Sequence, residues 1–365
     1  MQKIPLYKPY ITAKERDAVL RVLDSGVLSR GPEVERFEDA FADYVGKKYA
    51  IAVSSGTTGL HVAIRTLGWK NGDEVITTPF SFIASGNALL FENIHPIFAD
   101  IREDYNVDPI EVKKKITKKT KGILLVHIFG LPAYSKELKD LISENNLDVI
   151  EDACEALAPP NSTFKVSKLG KCTVYGFYEN KPITSGGEGG MIVTNDEEIA
   201  EKCRSLRDQG RLNHHSWLNH IQLGYNYRMT ELQAAFGRAQ LKRLDWMLQQ
   251  REMLAERYNT LLAHVDGLTV PPIEPKRSWF LYTVQFKSKV ARDKAMADLR
   301  SHGIGAKEYF PPIHLFAHFK EYGYKPGDFP VTEHAADTTL AIPFFIGMTY
   351  QQQDEVATII VSSLK

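Results

Sequence analysis

Cysteine is scarce in this chain: Cys154, Cys172 and Cys203 are the only three in 365 residues, and no CxxC pair is among them. An odd number at such wide spacing excludes a disulfide framework and a zinc knuckle, so three reduced thiols are expected. An excess of charge of either sign is also missing. Forty-five lysines and arginines balance forty-five aspartates and glutamates, so no global field draws the chain to nucleic acid or to an anionic membrane. Long hydrophobic runs are absent too. The longest, around GILLVHIFGL, is too short to cross a bilayer, and the opening MQKIPLYKPYITAKER has no basic-then-apolar signal pattern. The expectation is a cytoplasmic protein whose partner is a small molecule, with no nucleic-acid and no membrane partner.

Two kinds of site are excluded by what their motifs lack. His314 and His318 stand at i, i+4, and His214, His215 and His220 cluster, but neither set has an HExxH pattern or a third ligand of the right kind, so no metal site is expected. GKCT at 170–173 looks like the end of a phosphate-binding P-loop, yet no glycine stands at the required upstream spacing. There is no internal repeat and no low-complexity tract.

What is there is an alternation. From about residue 48, short β-branched runs (YAIAVSS, EVITTP, PIFADI, KGILLVHIF, LDVIED) alternate with amphipathic stretches such as TTGLHVAIRTLGW and FSFIASGNALLFE. This pattern predicts an α/β fold with a mostly parallel sheet and helices on its faces. Such sheets bind ligands at the carboxyl ends of their strands, which draws interest to Ser54–Thr58, Pro79–Phe82 and Glu151 with Asp152. Near Thr230 the residues TELQ resemble a capping box, and a helical spacing of apolar residues runs on through Leu244, Met247, Leu254, Tyr258 and Leu261. One long helix is expected there, bridging a large domain (1–245) to a smaller C-terminal α+β domain (246–365) that carries FLYTVQF and ARDKAMADLRSHG.

The stretch FYENKPITSGGEGGMIVTND sets Lys181 before a cluster of glycines that returns at once to a strand. A lysine becomes catalytic when it can form a Schiff base in a dry cleft. Asp152 closes the apolar strand LDVIED, where its carboxylate emerges at the ligand edge, although an acid there can equally cap a helix. VSSGTTGLHVA puts Ser55, Gly56, Thr57 and Thr58 at a strand-to-helix junction whose N–H groups can reach an anion. TTPFSFIAS offers Phe80 and Phe82, either of which can be core instead. Lysine, carboxylate, phosphate cup and aromatic plate are together what pyridoxal phosphate needs.

With SGVLSRGPEVERFEDAFADYVG, AVSSGTTGLH, TPFSFIASGNA, VIEDACEAL, GFYENKPITSGGEGGMIVTND, LGYNYRMTELQAAFG and YFPPIHL in place, the chain resembles the DegT/StrS family of sugar aminotransferases over nearly its whole length. The resemblance implies a fold type I pyridoxal-phosphate-dependent transferase. It implies that Lys181 is the Schiff-base lysine, that Asp152 pairs with the pyridinium nitrogen, that Phe82 stacks on the ring, and that Gly56 with Thr57 holds the phosphate. Asn226 matches an asparagine that reaches the phosphate from the neighbouring subunit, so a homodimer with shared active sites is implied. Arg228 is implied as an anion partner for the substrates, and His314 as lining the sugar side of the cleft. The implied reaction moves an amino group from an amino acid, L-glutamate becoming 2-oxoglutarate, to a nucleotide-linked keto-deoxy sugar, as in amino-sugar and polysaccharide biosynthesis.

The departures from the family pattern carry expectations as well. One extra glycine stands in TSGGEGG. The segment APPNSTFKVSKLGKC lacks the family's wording. Gly176 replaces a phosphate-binding serine, which shifts that duty to Thr57, Thr58, Asn180 or Asn226. Glu155 stands where many members carry glutamine beside the cofactor's phenolic oxygen, and an ionised glutamate cannot donate to that oxygen, so a protonated Glu155 is expected. Two alternatives share the fold: sugar dehydratases, which replace the lysine, and a non-catalytic regulator, which needs no complete site.

Overall fold

The computed structural model describes residues 3–157, 166–212, 219–273 and 277–365. Among them seven strands build a central sheet: β1 (Tyr49–Val53), β2 (Glu74–Thr77), β3 (His95–Phe98), β4 (Thr120–Val126), β5 (Asp148–Asp152), β6 (Cys172–Gly176) and β7 (Gly190–Thr194). Their order is β1-β7-β6-β5-β4-β2-β3. All pairings from β3 to β6 are parallel; β7 alone runs against both its neighbours, β6 and β1. Every parallel strand therefore ends at one edge, where β7 begins.

The strands are apolar throughout because helices cover both faces. Ile51, Val53, Val174 and Ile192 point into one core, while Ala52, Tyr175, Met191 and Val193, one residue out of phase, point into the other with Phe37 and Phe41. The covering helices are α1 (Ala13–Ser25), α2 (Pro32–Val45), α3 (Gly56–Leu67), α4 (Ala84–Leu90), α5 (Pro109–Lys115), α6 (Lys136–Glu144) and α7 (Glu197–Arg207). The three cysteines are free thiols.

The helical pattern after Thr230 forms two helices where one was expected. The capping box forms, with Thr230 Oγ1 accepting the Gln233 N–H and the Gln233 side chain accepting that of Thr230. But α8 (Glu231–Leu241) stops before α9 (Leu244–Leu262) begins. At the break Arg243 leaves helical geometry (φ −120°, ψ 6°), and its guanidinium reaches the buried Glu15 at 2.5 Å and the carbonyl of Tyr10. Leu241 and Leu244 stay buried on either side.

A second, antiparallel sheet has the order β10-β11-β9-β8, from β8 (Leu268–Thr269), β9 (Tyr282–Phe286), β10 (Lys307–Glu308) and β11 (Thr339–Ile342). Helices α10 (Lys289–Ser301) and α13 (Tyr350–Ser363) pack beside it; α11 (Ala317–Lys320) and α12 (Pro330–Thr338) connect it back to the first sheet. Its core joins Tyr282, Val284, Leu299, Leu340 and Ile360 to Leu254, Tyr258 and Leu262 of α9, and also to Ile4 from the start of the chain.

Candidate active site

Four chain segments meet at the shared strand edge. Asp152 ends β5 with its carboxylate buried and held on two sides: Ser85 Oγ, in the first turn of α4, donates to Oδ2 at 2.7 Å, and the Cys154 N–H donates to Oδ1 at 3.1 Å. One residue earlier, Glu151 faces the opposite side of the strand. There it accepts His127 Nε2 and the N–H groups of Ser167, Leu169 and Gly170, so it anchors the chain entering β6. The Ala133 N–H donates to His127 Nδ1, which leaves the ring proton on Nε2, pointing at Glu151.

At the mouth of α3, Ser55 Oγ accepts the Thr58 N–H and Thr58 Oγ1 answers with the Ser55 N–H and carbonyl. Thr58 is thus spent on its own cap, and the N–H groups of Gly56 and Thr57 remain at the helix end, where an anion is favoured. β7 passes so close that a Cβ on Gly190 would stand 2.6 Å from the Ser55 oxygen, and one on Gly56 would stand 2.7 Å from Cys154 Sγ. Cys154 crowds position 176, where a Cβ would meet Cys154 Cβ at 3.1 Å. A serine there would require Cys154 to shift by a few tenths of an ångström.

Lys181 lies on the loop from β6 to β7. Thr184 and Ser185 bond back to the Phe177 carbonyl, and the chain then turns through Gly187 at φ 135°, a conformation that an L side chain rarely adopts. The chain enters β7 three residues later. The lysine side chain, 13% exposed, directs Nζ to 3.6 Å from Glu155 Oε1 and 4.0 Å from the centroid of the Phe280 ring. Glu155 Oε2 accepts the Phe129 N–H at 3.0 Å. Burial pushes the Glu155 carboxyl above the usual carboxylate range, against the pull of Lys181 and with a further push from Asp152. Tyr309, flanked by Glu155, Tyr178 and Asn180, has its phenol pushed up to about 12, chiefly by burial, and so stays a proton donor. Asn180 Oδ1 is buried without a hydrogen-bond partner.

The remaining expected residues lie apart from this cluster or at its rim. Phe82 is 57% exposed just before α4, whereas Phe80 is core. Tyr225 and Tyr227 stack parallel at 4.8 Å and turn inward onto a network in which Glu92 binds His61, Arg65 and Tyr225. Asn226 between them faces outward and is exposed. Arg228 gives Nη1 to Asp208 Oδ1 at 2.6 Å, in a cavity of about 320 Å³ that Arg30, Arg207 and Arg211 also line. His314, expected to line the sugar side of the cleft, is enclosed: Nε2 meets Glu333 Oε1 at 3.1 Å and the ring packs edge-on against Phe329. Apolar packing between the two sheets has closed over it, and burial holds its pKa below the usual histidine range. His214, His215 and residues 158–165 of the segment APPNSTFKVSKLGKC lie outside the described residues.

Sequence reasoning missed Ser85, Phe280 and Tyr309. The only signal for Ser85 was its place one helical turn from Phe82 beside a strand end. Phe280 opens the stretch FLYTVQF and Tyr309 opens YFPPIHL, but nothing local marks either as a neighbour of the site, because only the second sheet brings Phe280 to Lys181 and Tyr309 to Glu155. Among the described residues no group of three or more His, Cys, Asp or Glu side chains could hold a metal, and no helix is long and apolar enough to cross a membrane.

The arrangement fits pyridoxal phosphate. A supported buried carboxylate, a helix mouth kept open by glycine backbone, an exposed ring and an enclosed lysine all share one edge. Residues 9–361 match the DegT/DnrJ/EryC1/StrS aminotransferase family. Over 366 residues the chain is 36% identical to GDP-perosamine synthase of Vibrio cholerae, covering 98% of both proteins. The solved structure of Helicobacter pylori PseC, an aminotransferase involved in the biosynthesis of pseudoaminic acid, superposes with a TM-score of 0.93 at 27% identity, covering 100% of this chain and 99% of that one. That of NtdA from Bacillus subtilis, with bound cofactor PMP, superposes with a TM-score of 0.89 at 29% identity, covering 97% and 83%.

Proposed function

The chain belongs to the DegT/DnrJ/EryC1/StrS aminotransferase family, and from that premise we propose that it transfers an amino group from an amino acid to the keto group of a nucleotide-linked deoxy sugar. The observation that carries this reading is the enclosed Lys181, set beside Glu155 at the strand edge that Asp152 closes. A lysine there is what dehydratases of this fold lack and what a regulator has no use for. L-glutamate is the proposed donor, 2-oxoglutarate its product, and the cytoplasm the proposed compartment.

Pyridoxal phosphate, when bound, supplies an electron sink for the carbanion formed at the donor's α-carbon. Asp152 takes the ring nitrogen, and Ser85 with the Cys154 N–H keeps that carboxylate from turning away. The N–H groups of Gly56 and Thr57 hold the phosphate, and the Phe82 ring covers one face. Lys181 would act as the base that removes the donor's α-proton and holds it for return. Asn226 completes the phosphate site of a second copy of the chain, and Arg228, in the arginine-lined cavity beside Asp208, meets anionic substrate groups. The exposed stripe Leu20, Leu23, Val27 and Leu28 offers that second copy an apolar surface.

The test is glutamate-dependent amination across a panel of nucleotide-linked keto sugars, with Lys181→Ala as the control. The expected result is turnover with at least one sugar and none in the variant, which still folds and binds cofactor noncovalently. Wild-type turnover in Lys181→Ala would overturn the assignment.

A further inference from the structure

The Lys181 amine sits between two groups of opposite kind, an aromatic face 4.0 Å away and a carboxyl oxygen 3.6 Å away. Both are fixed. The Arg251 guanidinium donates to the carbonyls of Trp279 (3.1 Å) and Phe280 (3.3 Å). The Ser278 N–H donates to the Gly130 oxygen, and Ser278 Oγ donates to the Glu155 carbonyl while accepting the Leu157 N–H. Phe129, beside Gly130, gives its own N–H to Glu155 Oε2. Ring and carboxyl are thus parts of one cross-bonded wall built from three distant segments. The approach at Gly130 tolerates no side chain, since a Cβ there would stand 2.7 Å from Ser278 Oγ.

A ring face attracts cations through its quadrupole, and a carboxyl oxygen accepts a charged N–H. A primary ammonium satisfies both at once; a neutral hydroxyl or an alkyl chain does not. We propose that Phe280 and Glu155 form a primary-ammonium site that receives the Lys181 amine whenever it is not bonded to the cofactor. The lysine must leave the cofactor and come back in every turnover, and its long stem carries considerable rotamer freedom. Docking keeps the amine within reach and shields it from water. The inference rests on the proposed role of Lys181 but is tested without cofactor.

Lys181→Ala removes the side chain beyond Cβ, which n-propylammonium replaces atom for atom. The cofactor-free full-length variant is expected to bind n-propylammonium saturably in calorimetry and to ignore 1-propanol at equal concentration. Adding Phe280→Leu should weaken that binding by roughly 2- to 30-fold, the range of one cation–ring contact. Phe280→Tyr, which keeps the face, should retain it. Equal binding by the Leu and Tyr variants, or equal binding of propanol, overturns the proposal. Should Phe280→Leu not fold, proton NMR of n-propylammonium bound to Lys181→Ala decides: an upfield ring-current shift of the methylene next to nitrogen is expected, and its absence overturns the site. Failed binding beside a wild-type enzyme that transaminates would remove this inference alone.

Discussion

Glu155 stands under opposing influences: burial raises its pKa, Lys181 lowers it and Asp152 raises it again. An engaged or deleted lysine removes the restraining charge, and the carboxyl then takes up a proton more readily. The sign follows from proton counting. Between the ordinary carboxylate range and the raised value, the folded protein holds a proton that the unfolded chain has released, so stability falls as pH rises through that window. Glu155→Gln should abolish this part of the slope in the melting temperature of the cofactor-free protein, and Lys181→Ala should extend the window upward. In the loaded enzyme Glu155→Gln should retain activity while shifting the pH dependence of the cofactor absorbance; an unchanged titration would mean that Glu155 does not sense the cofactor. Ser85→Ala removes a donor to a buried carboxylate, worth about 1.5–3 kcal/mol, and should weaken cofactor retention about tenfold or more, read by equilibrium dialysis.

At the scale of elements, the cup depends on how closely β7 passes the mouth of α3. Gly190→Ala would place a methyl group against the Ser55 carbonyl and should cost roughly 1–3 kcal/mol in denaturant unfolding, as overpacking does. It should also accelerate cofactor loss; unaltered retention would show that the helix mouth does not hold the phosphate. The glycines around Lys181 were readable as unusual, but the φ of 135° at Gly187 and the crowding at Gly190 were not. Both depend on what packs against the loop, which no local pattern records. The break between α8 and α9 escaped for the same reason: the 3.6-residue pattern continues across it, and the interruption is set by Arg243 reaching Glu15 in α1.

At the scale of the whole molecule, α9 serves two cores. Leu244 and Met247 pack under the large sheet, while Leu254, Tyr258 and Leu262 pack under the small one, so a division near residue 245 falls in the helix's first turn, and Ile4 packs with the C-terminal part. Asn226 is exposed, and the proposed shared site has a direct test. Asn226→Ala and Lys181→Ala proteins, each impaired alone, should regain some activity when their subunits are exchanged, because one site of each mixed dimer recovers both groups. No recovery after proven exchange would count against a shared site.

The sequence by itself determined the strands and the edge at which they end, and its resemblance to the family singled out Lys181, Asp152, Gly56 and Thr57 as candidates. Local periodicity places the strands, because a parallel strand flanked by helices can end only at that edge. Tertiary structure alone decided that Ser85 braces Asp152, that Phe280 closes on the lysine with Tyr309 beside Glu155, and that His314 is enclosed by Phe329 and Glu333. A serine, a ring or an imidazole acquires its role from its neighbours, and here those neighbours come from segments that only the packing of the second sheet and its connecting helices against the first brings within reach.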